Sequence, residues 1–189
     1  MRFTRTAIPD VWVIEPVVFQ DVRGYFMEVY KKADFEQYIG NVHFMQENES
    51  CSTKNVLRGM HYQLAPFDQA KLVRVIKGAV LDVSVDIRKN SPTFGQYVAI
   101  ELSAENRRQL FIPHGFAHGF LVISNEVIFT YKVDNLYNPD AERGILYNDP
   151  AIGINWEFGS NEQVILSDKD KKLPFLHDAE INFSYPDIH

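Results

Sequence analysis

Short strand-like segments separated by turn residues recur through most of the chain, whereas helical periodicity is scarce. The clearest segment spans residues 79–87, in which the odd-numbered residues are apolar and Asp82, Ser84 and Asp86 occupy the opposite face. Glycine or proline marks the reversals between segments at 77–78, 89–95 and 112–115. Many short strands with this spacing predict an all-β sandwich or barrel, and most directly a double-sheet jelly roll.

The strongest helical pattern is ADFEQYI, residues 33–39, which Gly40 and Asn41 follow as a stop signal. After about Asn135 the alternation weakens, and we expect loops and short helices that cover the barrel. The chain has 189 residues and contains no internal repeat, low-complexity segment or interdomain linker. We therefore expect a single jelly-roll domain, residues 1–189, that is large enough to bury a substantial core.

Composition and charge exclude several kinds of protein. Cys51 is the only cysteine, so an internal disulfide and a CxxC zinc site are both impossible. The net charge is −6 without a long basic run, which argues against binding to nucleic acid or to an anionic membrane. No segment approaches the roughly 20 apolar residues of a membrane span, and the first residues lack the pattern of a secretion signal. The sequence therefore predicts a cytoplasmic protein.

Two of the predicted strands, VLRGMHYQ and KLVRVIK, carry titratable side chains where core residues would otherwise lie. Alternation predicts that His61 shares a face with Leu57, and that Lys71 lies on an apolar face. A charged side chain on such a face is costly to desolvate. These residues therefore either form structural hydrogen bonds or line a site that uses them, and the neighbouring Arg58 and Arg74 favour a site.

Three later segments add candidates. Alternation in GFAHGF places His118 among aromatic side chains, and in EVIFTYKV it directs Tyr131 inward among apolar neighbours. A buried tyrosine often makes only one structural hydrogen bond, so Tyr131 taken alone favours a structural role. The segment LSDKD, residues 166–170, is typical of a solvated turn, although a carboxylate in it could also orient a histidine.

The spacing of the histidines disfavours a metal site. A mononuclear cupin metal site uses an HxH pair, a glutamate a few residues later and a further histidine on a later strand. Here Tyr62 and Gln63 follow His61, so the second histidine is missing. His114 and His118 are four residues apart, but a turn that contains proline and glycine surrounds them, so they are not a helical pair. Acid–base chemistry without a metal is the stronger hypothesis.

Eight strings in order closely resemble the dTDP-4-dehydrorhamnose 3,5-epimerase family. They are DVRGYFMEVY, QENES, NVLRGMHYQ, QAKLVRVIKGAVLDVSVDIRKNSPTFG, LSAENRRQLFIPHGFAHGF, YKVDNLYNPDAERGI, YNDPAIGINW and LSDKD. The resemblance runs from about Ile8 to Pro174. Small departures, none of which removes a group that the chemistry needs, occur at Glu47, Met60, Ala70 and Tyr147, where Asp, Leu, Gly and Trp are common.

The resemblance implies a cupin-type double-sheet jelly roll with a few short helices, which acts as a homodimer without metal or organic cofactor. It implies inversion of C3 and C5 of dTDP-4-dehydro-6-deoxy-D-glucose, which yields dTDP-4-dehydro-L-rhamnose. Both carbons lie next to the C4 ketone, so each can lose a proton to give an enolate. His61 would be the base, oriented by Asp170, Tyr131 would be the acid on the other face, and Lys71 would stabilise the oxyanion.

The resemblance also implies a set of substrate-binding residues: Arg23, Phe26, Glu28, Gln46, Asn48, Arg58, His118, Tyr137, Glu142 and Lys169. Arg58 and His118 would bind the pyrophosphate, and Tyr137 would stack on thymine. The segment that contains Arg23 is exchanged with the partner subunit in the family, so each site would be built from two chains. Two alternatives stay open: an epimerase that inverts only C3 or only C5, and a sugar-nucleotide-binding jelly roll without turnover.

Overall fold

Two antiparallel sheets pack face to face in the computed structural model, which describes residues 1–157 and 163–186. The strands are β1 (Arg2–Arg5), β2 (Trp12–Glu15), β3 (Val18–Asp21), β4 (Gly24–Met27), β5 (Gln46–Thr53), β6 (Leu57–Gln63), β7 (Lys71–Lys77), β8 (Ala79–Asp86), β9 (Tyr97–Ser103), β10 (Gln109–Ile112), β11 (Phe116–Val122), β12 (Glu126–Val133) and β13 (Glu142–Gly144). The described helices are α1 (Lys32–Tyr38) and two 3-10 helices, Asp170–Lys172 and Leu176–Asp178.

The strand order defines the fold. The six-stranded sheet has the order β1-β2-β10-β7-β12-β5, and the five-stranded sheet has the order β13-β6-β11-β8-β9. Strands β3 and β4 form a separate two-stranded hairpin. Because most neighbours within each large sheet are distant in the sequence, the chain crosses repeatedly between the two sheets, as in a jelly roll. The predicted all-β double-sheet fold is confirmed.

One hydrophobic cluster fills the space between the two sheets. Val73 and Val75 of β7 and Phe129 of β12 meet Phe120 of β11 in this cluster, and all four are at most 6% exposed. In β7 and β12, alternate side chains therefore point into the interior. Lys71 occupies the first position on the inner face of β7, as the alternation predicts.

Strand β8 is buried on both faces. Val83 and Val85 belong to a second cluster, in which the C-terminal segment covers the outer face of the five-stranded sheet. Asp82, Ser84 and Asp86 lie on the inner face and are 0% exposed. Carboxylates buried this deeply need hydrogen-bond partners. The polar face of β8 is therefore part of the interior.

Helix α1 covers one end of the six-stranded sheet. It agrees with the predicted 33–39 to within one residue at each end, and its Phe35 packs in a third cluster with Phe111. Gly40 follows the helix, and its N–H donates to the carbonyl of Phe35 at 3.0 Å. Pro16 separates β2 from β3, since proline has no N–H for a sheet hydrogen bond.

The C-terminal third consists mainly of loops that cover the five-stranded sheet, as expected from its weak alternation. Its described short helices are the two 3-10 helices. Strands β13 and β1, which the sequence did not predict, extend the edges of the two sheets by pairing with β6 and β2. They have three and four residues, too few for a period of two to be recognised.

A β-bulge in β6 interrupts the predicted alternation. Arg58 lies opposite Phe120 of β11, and His61 lies opposite His118, so three steps on β6 match two steps on β11. The two side chains therefore face the interior together, although they are three residues apart. Leu57 lies opposite Leu121, and both belong to the cluster on the outer face. The prediction that His61 shares a face with Leu57 was therefore wrong.

Gly59 makes the bulge possible. Its φ is +131°, a conformation that side chains with a Cβ rarely adopt, and a Cβ there would lie 2.5 Å from Gly119 Cα. The two glycines thus allow β6 and β11 to approach each other more closely than side chains would permit.

We expect Gly59→Ala to lower the free energy of unfolding by about 2 kcal/mol more than Gly40→Ala, because it adds a backbone clash to the strain of positive φ. Gly40 is a matched control, since its φ is +121° and a Cβ there would meet nothing within 4 Å. Urea unfolding of both variants at one protein concentration measures the difference. Equal losses in the two variants would contradict the proposed close contact.

Candidate active site

A cavity of about 520 Å³ lies at the end of the interior where β6, β7, β11 and β12 meet the segment 165–170. Its lining contains seven of the residues predicted from the sequence: Arg58, His61, Lys71, His118, Tyr131, Lys169 and Asp170. Apolar side chains, including Phe120 and Phe129, form much of the rest of its wall, together with Glu49, Ser50 and Ser167. Titratable groups and low-polarity walls therefore share one space, which strengthens the electrostatic interactions within it.

His61 and Asp170 form a hydrogen-bonded pair. His61 Nε2 lies 2.7 Å from Asp170 Oδ1, although the residues are 109 positions apart in the chain. Burial alone would raise the pKa of Asp170, but the hydrogen bond and charge of His61, with the Gly59 backbone and the Ser167 hydroxyl, leave it below its ordinary value. The ionised carboxylate accepts the Nε2 proton and so leaves Nδ1 of a neutral ring as the basic atom.

Lys71 supplies an amino group to the cavity. Its side chain is half-buried at the start of β7, and it makes no hydrogen bond or ion pair with any residue that the structure describes. Burial lowers the pKa of Lys71 to about 8, against the opposing charges of Asp82 and Glu142. An amine of this kind can respond to a negative charge that forms next to it.

Tyr131 reaches the cavity from the sheet opposite to His61. It lies on β12 of the six-stranded sheet, beside Asn48 of β5, whereas His61 lies on β6 of the five-stranded sheet. Burial raises the pKa of Tyr131, and the hydrogen bond with Asn48 and the charge of Arg58 only partly offset it. The phenol is therefore protonated at neutral pH, and the two groups flank the cavity from facing sheets.

His118 is held by a carboxylate that the sequence did not assign to the site. Its Nε2 lies 3.0 and 2.9 Å from the two carboxylate oxygens of Asp82 on β8, which is fully buried. Burial lowers the pKa of His118, with help from the charges of Lys71 and His61, although Asp82 opposes the shift. The sequence signal that could have identified Asp82 was its position as an acidic residue on the polar face of the segment 79–87.

The two arginines of the predicted cluster have different positions. Arg58 lines the cavity, and its guanidinium donates to the hydroxyl of Ser52 at 3.1 and 3.0 Å. Arg74 lies on the outer face of β7, as alternation requires, and does not line the cavity. The expectation that Arg74 belongs to the cluster was therefore wrong.

Four further predicted residues, Gln46, Asn48, Tyr137 and Glu142, lie at the rim. Glu142 on β13 accepts a hydrogen bond from the Tyr137 hydroxyl at 2.6 Å and forms an ion pair with Lys169. Gln46 and Asn48 both lie on β5, and the side-chain amide of Gln46 donates to the side-chain oxygen of Asn48 at 2.6 Å. These contacts connect the rim residues to the cavity wall through Lys169 and Asn48.

The remaining predicted residues, Arg23, Phe26 and Glu28, do not line the cavity within the chain. Arg23 lies at the tip of the β3–β4 hairpin and is paired with Asp21. The hairpin exposes an unusual amount of apolar surface, with Phe19 61% and Phe26 66% exposed. A hairpin of this kind normally requires a covering surface.

No group of three or more histidine, cysteine, aspartate or glutamate side chains that could hold a metal ion occurs within residues 1–157 and 163–186. Metal-independent chemistry stays a prediction. None of the helices in the same ranges is long and apolar enough to cross a membrane.

Comparison with known proteins identifies the family. The family model for dTDP-4-dehydrorhamnose 3,5-epimerase matches residues 5–178. The chain belongs to this epimerase family. The dTDP-4-dehydrorhamnose 3,5-epimerase of Shigella flexneri is 55% identical over 171 residues, which cover 90% of this chain and 93% of that protein. The epimerase of Salmonella typhimurium strain LT2 is 54% identical over 180 residues, or 95% and 97% of the two chains.

A solved epimerase structure has the same fold. The dTDP-6-deoxy-D-glucose-3,5-epimerase of Legionella pneumophila Philadelphia 1, in complex with dTDP-4-keto-L-rhamnose, superposes with a TM-score of 0.90 at 46% identity over 93% of each chain. The family predicted from the eight strings is confirmed, and the chain is an isomerase of that family. The alternative of a binding protein without turnover has no support from these relatives.

We expect Lys71 to titrate with a midpoint near pH 8, because burial disfavours its ammonium form. Reductive methylation with ¹³C-labelled formaldehyde followed by NMR measures the midpoint of each lysine. The Lys71→Met variant assigns the signal, and exposed lysines serve as an internal reference near pH 10.4. A Lys71 midpoint that coincides with the exposed lysines would contradict the expected desolvation.

Proposed function

We propose that the protein inverts C3 and C5 of dTDP-4-dehydro-6-deoxy-D-glucose and releases dTDP-4-dehydro-L-rhamnose. The observation that carries the proposal is the placement of His61 and Tyr131 on facing sheets, with the cavity between them. Inversion requires that a proton leave one face of the sugar ring and that another arrive on the opposite face. A base on one sheet and an acid on the other meet this requirement.

His61 is the base in this proposal. Asp170 accepts the Nε2 proton, so the lone pair of Nδ1 is available to remove a proton from C3 or C5. The electron pair of the broken C–H bond moves into the ring and onto the C4 oxygen, which becomes an enolate. The ammonium of Lys71 stabilises that oxygen, an interaction that is strong where water is excluded. Tyr131 then donates its phenolic proton to the other face of the carbon.

The nucleotide half of the substrate is proposed to bind along the remaining polar groups. Arg58, anchored by Ser52, offers a guanidinium to the pyrophosphate. His118 lies beside it, and an approaching anion would favour its imidazolium form, which burial disfavours in the free protein. Tyr137 is proposed to stack on thymine, with Glu142 beside it.

We further propose that the site is completed by a second copy of the chain. Arg23, Phe26 and Glu28 do not line the cavity of their own chain, and they belong to a hairpin whose apolar side chains are exposed. Exchange of this hairpin between two copies would bury its apolar surface and bring the guanidinium of Arg23 to the phosphate end of the neighbouring cavity. Cytoplasmic location stays a prediction from the sequence.

We expect the isotope pattern of two variants to separate the base from the acid. His61→Asn should lose both deuterium exchange from D2O and epimerisation by a factor on the order of 10²–10⁴, because no group then removes the proton. Tyr131→Phe should keep exchange but lose inversion, since His61 can return a deuteron to the face from which it removed the proton. NMR of the sugar after incubation with dTDP-4-dehydro-6-deoxy-D-glucose measures both outcomes at C3 and C5 separately.

Residual activity near wild type in His61→Asn would refute the assignment of the base. Equal loss of exchange and inversion in Tyr131→Phe would mean that the phenol is required for enolate formation. Deuterium at only one carbon in the wild-type product would instead support the alternative of an epimerase that inverts a single position.

We expect two inactive variants to restore activity when their subunits are mixed. His61→Asn and Arg23→Ala each inactivate both sites of their own homodimer. In an exchanged heterodimer, one site combines the intact His61 of the Arg23→Ala subunit with the intact Arg23 of the His61→Asn subunit. After mild denaturation and random reassociation, about half of the dimers should be heterodimers, and one of the two sites in each heterodimer should be intact. The mixture should therefore recover about a quarter of wild-type activity. Reassociated mixtures as inactive as the two parents, with heterodimers present by native mass spectrometry, would refute the shared site.

A further inference from the structure

His114 lies in the turn between β10 and β11 and joins two carboxylates outside the proposed catalytic group. Its Nδ1 lies 2.5 Å from Asp68 Oδ2, and its Nε2 lies 2.8 Å from Asp134 Oδ2. Ionised carboxylates only accept hydrogen bonds, so both ring nitrogens must donate and the ring is an imidazolium. Burial would lower the pKa of His114, but the bonds with Asp134 and Asp68 raise it to about 10. The bridge is therefore charged at neutral pH.

The two carboxylates belong to loops that are far apart in the sequence, 64–70 and 134–138. The loops also exchange hydrogen bonds directly: the side-chain amide of Gln69 donates to a carbonyl of the second loop at 2.8 Å, and that of Asn135 donates to a carbonyl of the first at 3.0 Å. His114 thus connects the two loops to each other and to the turn at the end of β10.

The second loop leads to the rim of the proposed active site. Tyr137 lies in it, and its hydroxyl donates to Glu142, which is paired with Lys169 of the cavity wall. From β6, the side chain of Gln63 donates to the Leu136 carbonyl at 3.2 Å and accepts from the backbone N–H at position 138 at 2.7 Å. The loop is therefore fixed on one side by the strand that carries His61 and on the other by the bridge.

The charges around His114 show what its removal would do. Its side chain faces a second cavity of about 810 Å³, which Arg5, Asp10 and Arg88 also line. Arg88 is already bound to Asp86 and Asp10, and Arg5 stacks on Trp12. The groups in hydrogen-bond contact with the imidazolium are therefore the two carboxylates. Without a cation between them, the two negative charges would repel each other and oppose the direct hydrogen bonds that join the loops.

We propose that the Asp68–His114–Asp134 bridge is a positioning device for the nucleotide end of the substrate, which holds the loop 134–138 so that Tyr137 lies over the rim of the cavity. The inference rests on the proposed stacking of Tyr137 on thymine. His114 itself does not line the cavity between the sheets. Its effect is on nucleotide affinity, and the groups that move protons are unaffected.

The test compares His114→Gln with His114→Lys, which keeps a cation between the carboxylates, and with His43→Gln, a control at an exposed histidine. Calorimetry with dTDP and steady-state kinetics give Kd, KM and kcat. In His114→Gln, Kd and KM should rise about tenfold while kcat stays within about twofold, and His114→Lys should recover most of the affinity. A lower Tm with unchanged Kd in His114→Gln would show a purely structural role and would overturn the proposal.

A double-mutant cycle with Tyr137→Ala connects the bridge to the stacking residue. Because both changes remove the same contact, Tyr137→Ala should weaken dTDP binding by less than about twofold in the His114→Gln background. Losses that multiply would overturn the proposal. If Tyr137→Ala alone leaves Kd unchanged, the stacking assignment fails and the positioning role fails with it. If Tyr137→Ala weakens binding and His114→Gln does not, only the positioning role fails.

Discussion

The close contact between Gly59 and Gly119 is the constraint on which the arrangement of the site depends. A Cβ on Gly119 would lie 2.7 Å from the carbonyl oxygen of Arg58, and one on Gly59 would lie 2.5 Å from Gly119 Cα, so neither position accommodates a side chain. The bulge at this contact turns Arg58 and His61 onto one face. In a regular strand, residues three apart face opposite sides, and the sheet would separate the guanidinium from the imidazole.

The interior contains several titratable groups that are costly to bury, and carboxylates form hydrogen bonds with two of them. Asp170 holds His61, and Asp82 holds His118, each through Nε2. Lys71 has no such partner among the described residues, and burial lowers its pKa to about 8. This difference suits the proposed roles. A paired imidazole keeps a fixed tautomer for proton removal, whereas an unpaired ammonium can interact fully with a negative charge that exists only during the reaction.

Prediction from the sequence succeeded where strand alternation continues without interruption. Lys71 and Tyr131 face the interior at the positions that a period of two predicts. It failed at His61, because a bulge inserts one residue and reverses the faces beyond it. The available signal was Gly59, since a glycine inside a strand pattern often marks a bulge. The family resemblance named Glu142 and Lys169, which alternation could not have found, since they lie in a short edge strand and a loop. The sequence analysis placed Asp82 on the polar face of the segment 79–87 but did not assign it to the site.

The sequence by itself determined the all-β class, the two sheets, the family and the chemical groups available for acid–base work. Side-chain alternation and turn formation depend on neighbouring residues, so both can be read locally. The tertiary structure decided which of those groups meet. The pairing of His61 with Asp170 and the bridging of Asp68 and Asp134 by His114 join segments 20 to 109 residues apart. Such contacts form only when the packed sheets exclude water and set the paths of the loops, because an exposed pair of charges gains little from its attraction in water.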